Sequence, residues 1–337
     1  MFPCNAATGF TAGRARGSQG TGTAITAPHG SHEELLARIG RDYYLRNRSK
    51  VEIAREHGLS RFQVARLLEE ARALGIVRIE VSFPDAVPPQ DELQAALGVS
   101  RLVIVPAAAD DAGTRDQLAR AAAAALAEAV APDSTVGISW SRTLDRAAAY
   151  LTALPPCAVV QLAGALPVPG TGNSMELVQT LGKLPGVRTW PLWAPLVVGS
   201  AETAASLRGQ PEVADALGRA DALDLAVVAI GAWAPGLSTV WPRVDNPLRL
   251  AAARAGAVAE CSGRLLDAEG RPVPSELDER VLAVTVAQLQ ATPQVIAVAQ
   301  GAERAEAVLA TLRAGFITTL IIDSGLAAAL AALAAEA

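Results

Sequence analysis

Histidine and lysine are scarce in this chain of 337 residues. The three histidines are His29, His32 and His57, so no histidine follows residue 57. A serine hydrolase of the α/β type needs a histidine base that follows its nucleophile in the chain, and the order here excludes that triad. The same absence leaves a metal site in the later sequence without support. Lysine occurs only at Lys50 and Lys183, so basic side-chain chemistry rests on arginine.

Cysteine is also rare. Cys4, Cys157 and Cys261 are far apart and form no C-x-x-C pair, which favours a reduced, cytoplasmic compartment over a disulfide framework.

No G-x-G-x-x-G follows a first strand, so no dinucleotide cofactor is expected. The apolar run 316–335 is interrupted near its middle by a polar turn, which favours a buried strand followed by a helix over a membrane span. We also expect no signal peptide, because the amino terminus has no continuous apolar stretch.

Charge is distributed unevenly along the chain. Residues 1–83 contain 12 basic and 8 acidic residues, whereas the remainder contains 17 basic and 26 acidic ones. The net charge of −5 argues against a protein that coats DNA generally. A mildly basic amino-terminal part on an acidic body predicts different partners for the two parts.

Composition and periodicity divide the chain into four segments. We predict a disordered tail over 1–30, a helix-turn-helix domain over 31–83, a proline-rich linker over 84–90 and a larger domain over 91–337. Apolar runs alternate with helical patterns in the last segment, which predicts an α/β domain with a mostly parallel, doubly wound sheet. The predicted strands are 102–106, 135–140, 158–162, 192–198, 225–230, 257–261, 295–299 and 319–323.

The most specific local pattern is SKVEIAREHGLSRFQVARLLEEARALGIVRIEV, residues 49–81. A short helix, a turn at Gly58 and a serine-capped second helix predict a helix-turn-helix, followed by a strand over 76–81. In that motif the first residues of the second helix contact base edges in the major groove, where arginine reads guanine and glutamine reads adenine. The alternative is an ordinary surface helical hairpin with solvated arginines. The predicted DNA-binding residues are Ser49, Ser60, Arg61, Phe62, Gln63, Arg66, Arg72 and Arg78.

A second pattern, TVGISWSRTLDRAA over 135–148, joins a predicted strand to a predicted helix. Such a turn presents backbone N–H groups to an anion, and Ser139, Ser141 and Thr143 add hydroxyl donors. Arg142 adds positive charge. The alternative is a capped helix start that binds nothing.

Further polar side chains lie near the ends of other predicted strands. Asp224 opens the strand 225–230, Glu260 and Asp267 lie around the strand 257–261, and Arg304 follows the strand 295–299. Asn173 and Glu176 lie in the glycine-rich stretch after the strand 158–162, which itself contains Gln161. For any one of them a surface ion pair or cap is the simpler role. As a set at carboxyl strand ends they predict a polar ligand that carries hydroxyls and a phosphate.

Several motifs in the same order resemble the SorC family of sugar-responsive bacterial transcriptional regulators. The amino-terminal motifs are Tyr43-Tyr44-Leu45 and EIAREHGLSRFQVARLLEEARALGIVRIEV. The later motifs are VGISWSRTL, VVQLAGAL, residues 173–178, GAVAECSGRLLDAEGRPV and VIAVAQGAERAEAVLATLRAGFITTLIID. The resemblance covers about residues 35–330.

This resemblance implies a helix-turn-helix head and a Rossmann-like effector domain related to sugar-phosphate isomerases. It also implies that a phosphorylated sugar changes the affinity for operator DNA, and that the protein forms dimers or tetramers. By position, Gly137, Ser139, Trp140, Ser141 and Thr143 match the phosphate cradle of the family, and Arg304 matches a position that is often lysine. The predicted effector-binding residues are Gly137, Ser139, Trp140, Ser141, Arg142, Thr143, Gln161, Asn173, Glu176, Asp224, Glu260, Asp267 and Arg304.

Two positions depart from the family pattern. Ser141 replaces the usual glycine of the S-W-G turn, and Gln300 replaces the first glycine of a later glycine pair. If the backbone at Ser141 needs a positive φ, the added Cβ predicts a strained or differently shaped turn.

The leading hypothesis is therefore a cytoplasmic, DNA-binding transcriptional regulator of carbohydrate metabolism, without cofactor, metal or membrane contact. One alternative is a sugar-phosphate isomerase or deaminase-like enzyme with an appended helical domain, whose base would be a carboxylate such as Asp224 or Glu260. Another is a dimeric interaction module without a ligand.

Overall fold

The structure, a computed structural model, describes residues 32–77, 89–167 and 174–336. The chain divides into two compact units, residues 1–81 and 82–337, which we call the head unit and the body unit. The predicted tail and most of the predicted linker lie outside the described residues, and the domain boundaries stay a prediction.

The head unit contains three helices, α1 (His32–Tyr44), α2 (Lys50–His57) and α3 (Arg61–Ala73). Apolar residues at helical spacing form its core, since Ile39, Ile53, Val64 and Leu68 are all buried against one another. The strand predicted over 76–81 is not seen in its first two residues, which form a bend, and the rest of it lies outside the described residues.

A parallel sheet organises the body unit. Its strands follow the order β1-β9-β8-β5-β2-β3-β4, and every neighbouring pair in that order is parallel. From β2 the strands β3 and β4 are added towards one edge of the sheet, and from β5 the strands β8 and β9 are added towards the other edge. The sheet therefore has a topological switch point between β2 and β5. The strands are β1 (Arg101–Val105), β2 (Thr135–Ile138), β3 (Cys157–Gln161), β4 (Val187–Trp190), β5 (Leu225–Ala232), β6 (Ala259–Cys261), β7 (Arg264–Leu266), β8 (Gln294–Val298) and β9 (Thr319–Asp323).

Helices cover both faces of this sheet, as the doubly wound prediction requires. Strand side chains alternate between two cores: in β8, Val295 and Ala297 belong to one core, and Ile296 and Val298 to the other. The predicted mostly parallel α/β architecture is confirmed. The helices are α4 (Gln90–Leu97), α5 (Asp111–Ala129), α6 (Arg142–Ala148), α7 (Ser174–Leu181), α8 (Ala201–Arg208), α9 (Pro211–Gly218), α10 (Asn246–Arg254), α11 (Glu276–Arg280), α12 (Val286–Ala291), α13 (Ala305–Arg313) and α14 (Ser324–Glu336).

One strand prediction was wrong, and one strand was not predicted. Residues 192–198 form only isolated bridges, and the strand of this region is β4, which ends before Pro191. Proline has no amide hydrogen to give to a ladder, and Pro191 and Pro195 punctuate the predicted run. The run 257–261 contributes β6, which is antiparallel to β5 and turns back into β7, a strand the apolar pattern did not predict.

The apolar run at the carboxyl terminus resolves into β9 followed by α14. No helix in the described part of the chain is long and apolar enough to cross a membrane.

Candidate functional site

Two serine caps fix the turn between α2 and α3. Ser49 and Ser60 are the N-caps of these helices, and each forms a reciprocal capping box with the residue three positions later. The Ser60 Oγ accepts a hydrogen bond from the Gln63 amide (3.2 Å), and the Gln63 Oε1 accepts one from the Ser60 amide (2.8 Å). Gly58 ends α2 with φ +65°, a conformation that favours glycine. Local sequence therefore sets the geometry of this turn.

The outer face of α3 carries the residues predicted to contact DNA. Arg61, Phe62, Arg66 and Arg72 are exposed. Gln63 is also exposed, and its carbonyl oxygen already accepts one hydrogen bond within the cap. Arg78 lies outside the described residues. Direct contact of these side chains with bases stays a prediction.

A carboxylate and imidazole cluster in the head unit is an ion-pair network. Atoms of Asp42, Glu56 and His57 lie within 4.8 Å of one another, a spacing that suits a metal ion. The Asp42 carboxylate already faces guanidinium nitrogens of Arg46 (3.2 Å) and Arg48 (3.6 Å), and Arg48 also pairs with Glu56. A cation would have to displace these arginines, so we assign no metal to it.

The main pocket of the body unit opens at the switch point of the sheet. Its walls come from residues that follow the carboxyl ends of β2 and β8, from the second half of β5, and from the turn between β6 and β7. Open α/β sheets bind ligands at this place, because loops on the two sides of the switch point diverge there. Seven of the predicted effector-binding residues line it: Ser139, Trp140, Ser141, Arg142, Thr143, Glu260 and Arg304.

Ser141 does not strain the turn. Its backbone is extended, with φ −153° and ψ 164°, and the side chain caps α6 by accepting a hydrogen bond from the Leu144 amide (3.1 Å). The condition for a strained turn, a positive φ at Ser141, is therefore not met, because an N-cap residue adopts extended geometry that any amino acid tolerates. The hydroxyl hydrogen of Ser141 is not used in that bond and can still be donated.

Three guanidinium groups line the pocket: Arg115 from α5, Arg142 at the start of α6 and Arg304 just before α13. Arg304 is held by its own turn, donating to the Gln300 carbonyl oxygen (2.6 Å) and pairing with Glu303 (2.7 Å). Neither Arg115 nor Arg142 has a hydrogen-bond partner among the described residues. The pKa of Arg115 is lowered mainly by burial and secondly by repulsion from Arg142. The Asp111 carboxylate opposes this shift only in part, so the pocket wall carries positive charge from Arg115 and Arg142 that no ion pair or hydrogen bond of the described chain offsets.

Trp140 contributes a buried donor to the same wall. Its indole Nε1 is buried and meets no acceptor in the described part of the chain. Buried N–H groups nearly always have a partner, and leaving one without any costs about 1–3 kcal/mol. An acceptor on a bound molecule would satisfy the guanidinium groups of Arg115 and Arg142, which line the pocket.

Glu260 faces the pocket from β6 inside a hydrogen-bond network. One carboxylate oxygen accepts from the Gly263 amide (2.6 Å) and the other from the Ser238 hydroxyl (2.8 Å). The turn from β6 to β7 has two consecutive positive φ angles, at Ser262 (53°) and Gly263 (83°), as in the tightest hairpin turns. This turn places the Ser262 hydroxyl against that of Ser139, so the hairpin and the β2 turn meet directly.

Burial raises the pKa of Glu260, although the bonds from Gly263 and Ser238 oppose the shift. The native state therefore binds more protons than the unfolded chain as pH rises above the ordinary glutamate pKa of about 4.3. The free energy of unfolding falls as the pH rises through this range.

We expect Glu260→Gln to remove this pH-dependent loss of stability, so that the melting temperature of the variant relative to the native protein increases between pH 5 and pH 8. Thermal unfolding at stepped pH measures it. The exposed Glu212→Gln is the control, and equal pH slopes for all three proteins would contradict the prediction.

Five of the remaining predicted effector residues do not line the pocket. Gly137 lies within β2, where an added Cβ would come within 2.6 Å of the Leu162 side chain. Gln161 is buried, donates to the Ala163 carbonyl (2.7 Å) and accepts from the Leu192 amide (3.3 Å), so it joins loops inside the body unit. Glu176 lies on α7 outside the pocket lining, and Asn173 lies outside the described residues.

Two acidic residues were misplaced by the sequence reasoning. Asp224 precedes β5 and accepts a hydrogen bond from the Thr135 amide (2.8 Å) at the amino end of β2, the sheet edge opposite the pocket. Its place before the strand rather than after it explains the error. Asp267 accepts hydrogen bonds from the Arg271 amide (2.8 Å) and the Arg271 guanidinium (2.8 Å), so it organises its own turn.

Gln300 is accommodated without strain in the loop after β8. Its side chain donates to the Asp111 carbonyl oxygen (3.0 Å) at the start of α5. The glycine that the backbone requires is the next residue: Gly301 has φ +95°, and its amide donates to the buried Asp323 carboxylate (2.7 Å). The departure at Gln300 therefore adds a link between two loops rather than a distortion.

Sequence reasoning missed Arg115, Gly231, Ser238 and Ser262. Arg115 follows β1 near the start of a helix, which is the kind of position that identified Arg142, so the same rule could have found it. Gly231 pairs with Glu260 in the sheet, and a Cβ there would lie 3.2 Å from the Glu260 carboxylate. No local pattern distinguishes Ser238 or Ser262, because their partners are distant in the chain.

Comparison with known proteins relates most of the chain to transcriptional regulators. Residues 84–332 match the family model described as "Putative sugar-binding domain", a range that contains every residue lining the pocket. Transcriptional regulator LsrR of Klebsiella pneumoniae subsp. pneumoniae is 30% identical over 313 residues, covering 90% of this chain and 94% of that protein. The uncharacterized transcriptional regulator YjhU of Escherichia coli (strain K12) is 29% identical over 298 residues, covering 85% of this chain and 90% of that protein.

Solved structures share the fold. The full-length sorbitol operon regulator SorC from Klebsiella pneumoniae has a TM-score of 0.65 at 19% identity, covering 89% of this chain and 99% of that one. A transcriptional regulator from Streptococcus pneumoniae TIGR4 has a TM-score of 0.66 at 19% identity, covering 74% and 97%.

Proposed function

Since this chain belongs to the SorC family of sugar-binding transcriptional regulators, we propose that its head unit binds operator DNA and that its arginine-lined pocket binds a phosphorylated sugar. The chain is a transcriptional regulator and not an enzyme, which sets aside the isomerase and deaminase alternative. The phosphate, the oligomeric state and the cytoplasmic location belong to the proposal.

The observation that supports a phosphate is that two pocket arginines form no ion pair and no hydrogen bond within the described residues. Arg115 and Arg142 have no partner in the described chain, and the Arg115 pKa is lowered by burial and by like charge. A phosphate would reverse both penalties, because its oxygens accept charge-assisted hydrogen bonds and its charge offsets the repulsion. The hydroxyls of Ser141 and Thr143 supply further donors among the residues that line the pocket.

Glu260 supports a sugar as the remainder of the ligand. It is a buried carboxylate on another wall of the pocket from the arginines, and serine hydroxyls lie beside it. Carboxylates accept hydrogen bonds from hydroxyl groups, whereas a second phosphate at Glu260 would meet like charge. A molecule with an anionic group and several hydroxyls matches both walls.

Regulation would result from thermodynamic linkage between effector binding and DNA binding. A ligand that binds one arrangement of protomers better than another shifts the population towards it, and the DNA affinity changes by the same coupling energy. The turns that line the pocket belong to several separate elements, so ligand binding would restrain them together. In a homo-oligomer this would alter the spacing of paired head units along the DNA.

The test is a binding titration with the full chain. Labelled DNA from upstream of its own gene and of neighbouring genes is titrated at about 0.15 M salt, with and without a panel of sugars and their phosphates. We expect specific binding that one phosphorylated sugar changes by about tenfold, within the usual range of allosteric coupling. Absence of specific DNA binding in every condition would contradict the regulator assignment. An equal response to the unphosphorylated sugar would contradict the phosphate.

A further inference from the structure

Phe62 is the most exposed of the large apolar side chains in the described chain, at 86% exposure. It lies in the first turn of α3, whose start is locked by the Ser60 capping box. A single exposed apolar residue is common on protein surfaces and by itself indicates nothing. The position and the neighbours of Phe62 make it informative.

The face of α3 that bears Phe62 is opposite the core. Val64, Leu68 and Ala71 define the buried side of the helix. With about 100° per residue, Phe62 and Arg66 both lie roughly 160° from that side, one helical turn apart. The two side chains therefore share the outermost stripe of α3, an aromatic ring next to a guanidinium.

Charge on this surface favours DNA as the occupant. Arg61 and Arg66 flank the ring in sequence, are exposed, and pair with no acidic residue of the described chain. An apolar protein partner would bury the two guanidinium groups without a counter-charge. DNA phosphates would neutralise their charge, and guanine edges would accept their hydrogen bonds. The Gln63 carbonyl oxygen is used in the cap, whereas the Phe62 ring is exposed and can contact an apolar feature of the groove.

We propose that Phe62 reads the 5-methyl group of a thymine in the major groove, so that it determines sequence specificity alongside Arg66. Apolar side chains contact this methyl group, which is the one apolar feature that the groove displays. Four residues of helix span about 6 Å, which is about two base-pair steps. The preferred DNA sequence therefore carries a thymine within about two steps of a guanine. The inference rests on the proposed DNA-binding function.

The experiment begins with the full native chain and a random pool of double-stranded DNA, from which its preferred sequence is selected. Each thymine is then replaced singly by deoxyuridine, which removes one methyl group and leaves every hydrogen-bonding group in place. We expect one such replacement to weaken native binding about fourfold, the effect of losing one buried methyl group. Phe62→Ala should bind the thymine and deoxyuridine versions equally, and Phe62→Leu should retain part of the difference.

Leu74→Ala is the matched control, because Leu74 is also an exposed apolar residue of the head unit (59%) but lies just after the far end of α3. It should keep the native dependence on the methyl group. If each deoxyuridine replacement affects the native protein and Phe62→Ala alike, Phe62 does not read thymine and the inference fails while the function stands. If no DNA sequence is enriched by the native chain, the proposed function itself fails.

Discussion

Replacing Arg115 and Arg142 together by glutamine is expected to weaken binding of the phosphorylated sugar at least 100-fold. Each guanidinium would supply charge-assisted hydrogen bonds to the phosphate, and such bonds contribute about 1.5–3 kcal/mol. Two such losses amount to about 3–6 kcal/mol, and each 1.4 kcal/mol is a factor of ten. Calorimetric titration of the effector identified by the DNA-binding assay measures the change.

The same substitution is expected not to destabilise the ligand-free protein. The Arg115 pKa is lowered, first by burial and then by repulsion from Arg142, so the charged form of Arg115 is disfavoured in the folded state. Removing that charge should leave the melting temperature without ligand unchanged or higher. A purely structural role would predict the opposite, since loss of a structural arginine lowers the melting temperature.

Arg254→Gln is the control for this experiment. Arg254 is exposed at the end of α10, does not line the pocket and makes no ion pair within the described residues. Its substitution should leave both effector affinity and stability near the native values. Native effector affinity in the double variant would show that the pocket arginines do not bind the phosphate.

The largest loss of stability is expected from Arg264→Met. Arg264 is buried in β7, and its guanidinium donates to the backbone oxygens of Asp278 (3.0 Å), Ala283 (2.9 Å) and Val284 (3.0 Å). It also pairs with the Asp278 carboxylate (2.7 Å). Methionine fills much of the volume but donates nothing, and each buried carbonyl left without a donor costs about 1–3 kcal/mol. We expect the unfolding free energy to fall by about 3 kcal/mol or more, measured by urea or thermal unfolding.

Lysine should not rescue this position. A single ammonium group cannot reproduce the planar fork that reaches three carbonyls, so Arg264→Lys should lose most of the stability that Arg264→Met loses. The matched control is Arg271→Met, because Arg271 follows the same hairpin and pairs with Asp267 and Glu269 at the surface. Exposed ion pairs contribute little, so this variant should unfold close to the native protein. Equal destabilisation by Arg264→Met and Arg271→Met would refute the prediction.

The sequence predicted the sheet better than it predicted the site. Runs such as 319–323 and 295–299 are apolar on both faces, and buried parallel strands need no more than that. The pattern failed at 192–198, where Pro195 has no amide hydrogen to give to a ladder, and at β7, which begins with the polar residue Arg264. The partners of Arg264 are carbonyls of a distant loop. Periodicity reports burial, and it does not report what a buried polar group contacts.

The amino-acid sequence by itself determined the features that depend on neighbours a few residues apart. The capped helices of the head unit, the turn at Gly58 and the Ser141 cap of α6 are of this kind, because each hydrogen bond closes within one helical turn.

Only the tertiary structure decided which polar residues share the pocket. The strand order brings Arg115, Arg142, Glu260 and Arg304 to its walls from different elements, while it directs Asp224 to the opposite edge of the sheet. Partners separated by a hundred residues or more meet through the register and order of strands. No local spacing encodes that arrangement, because it results from the packing of both faces of the whole sheet.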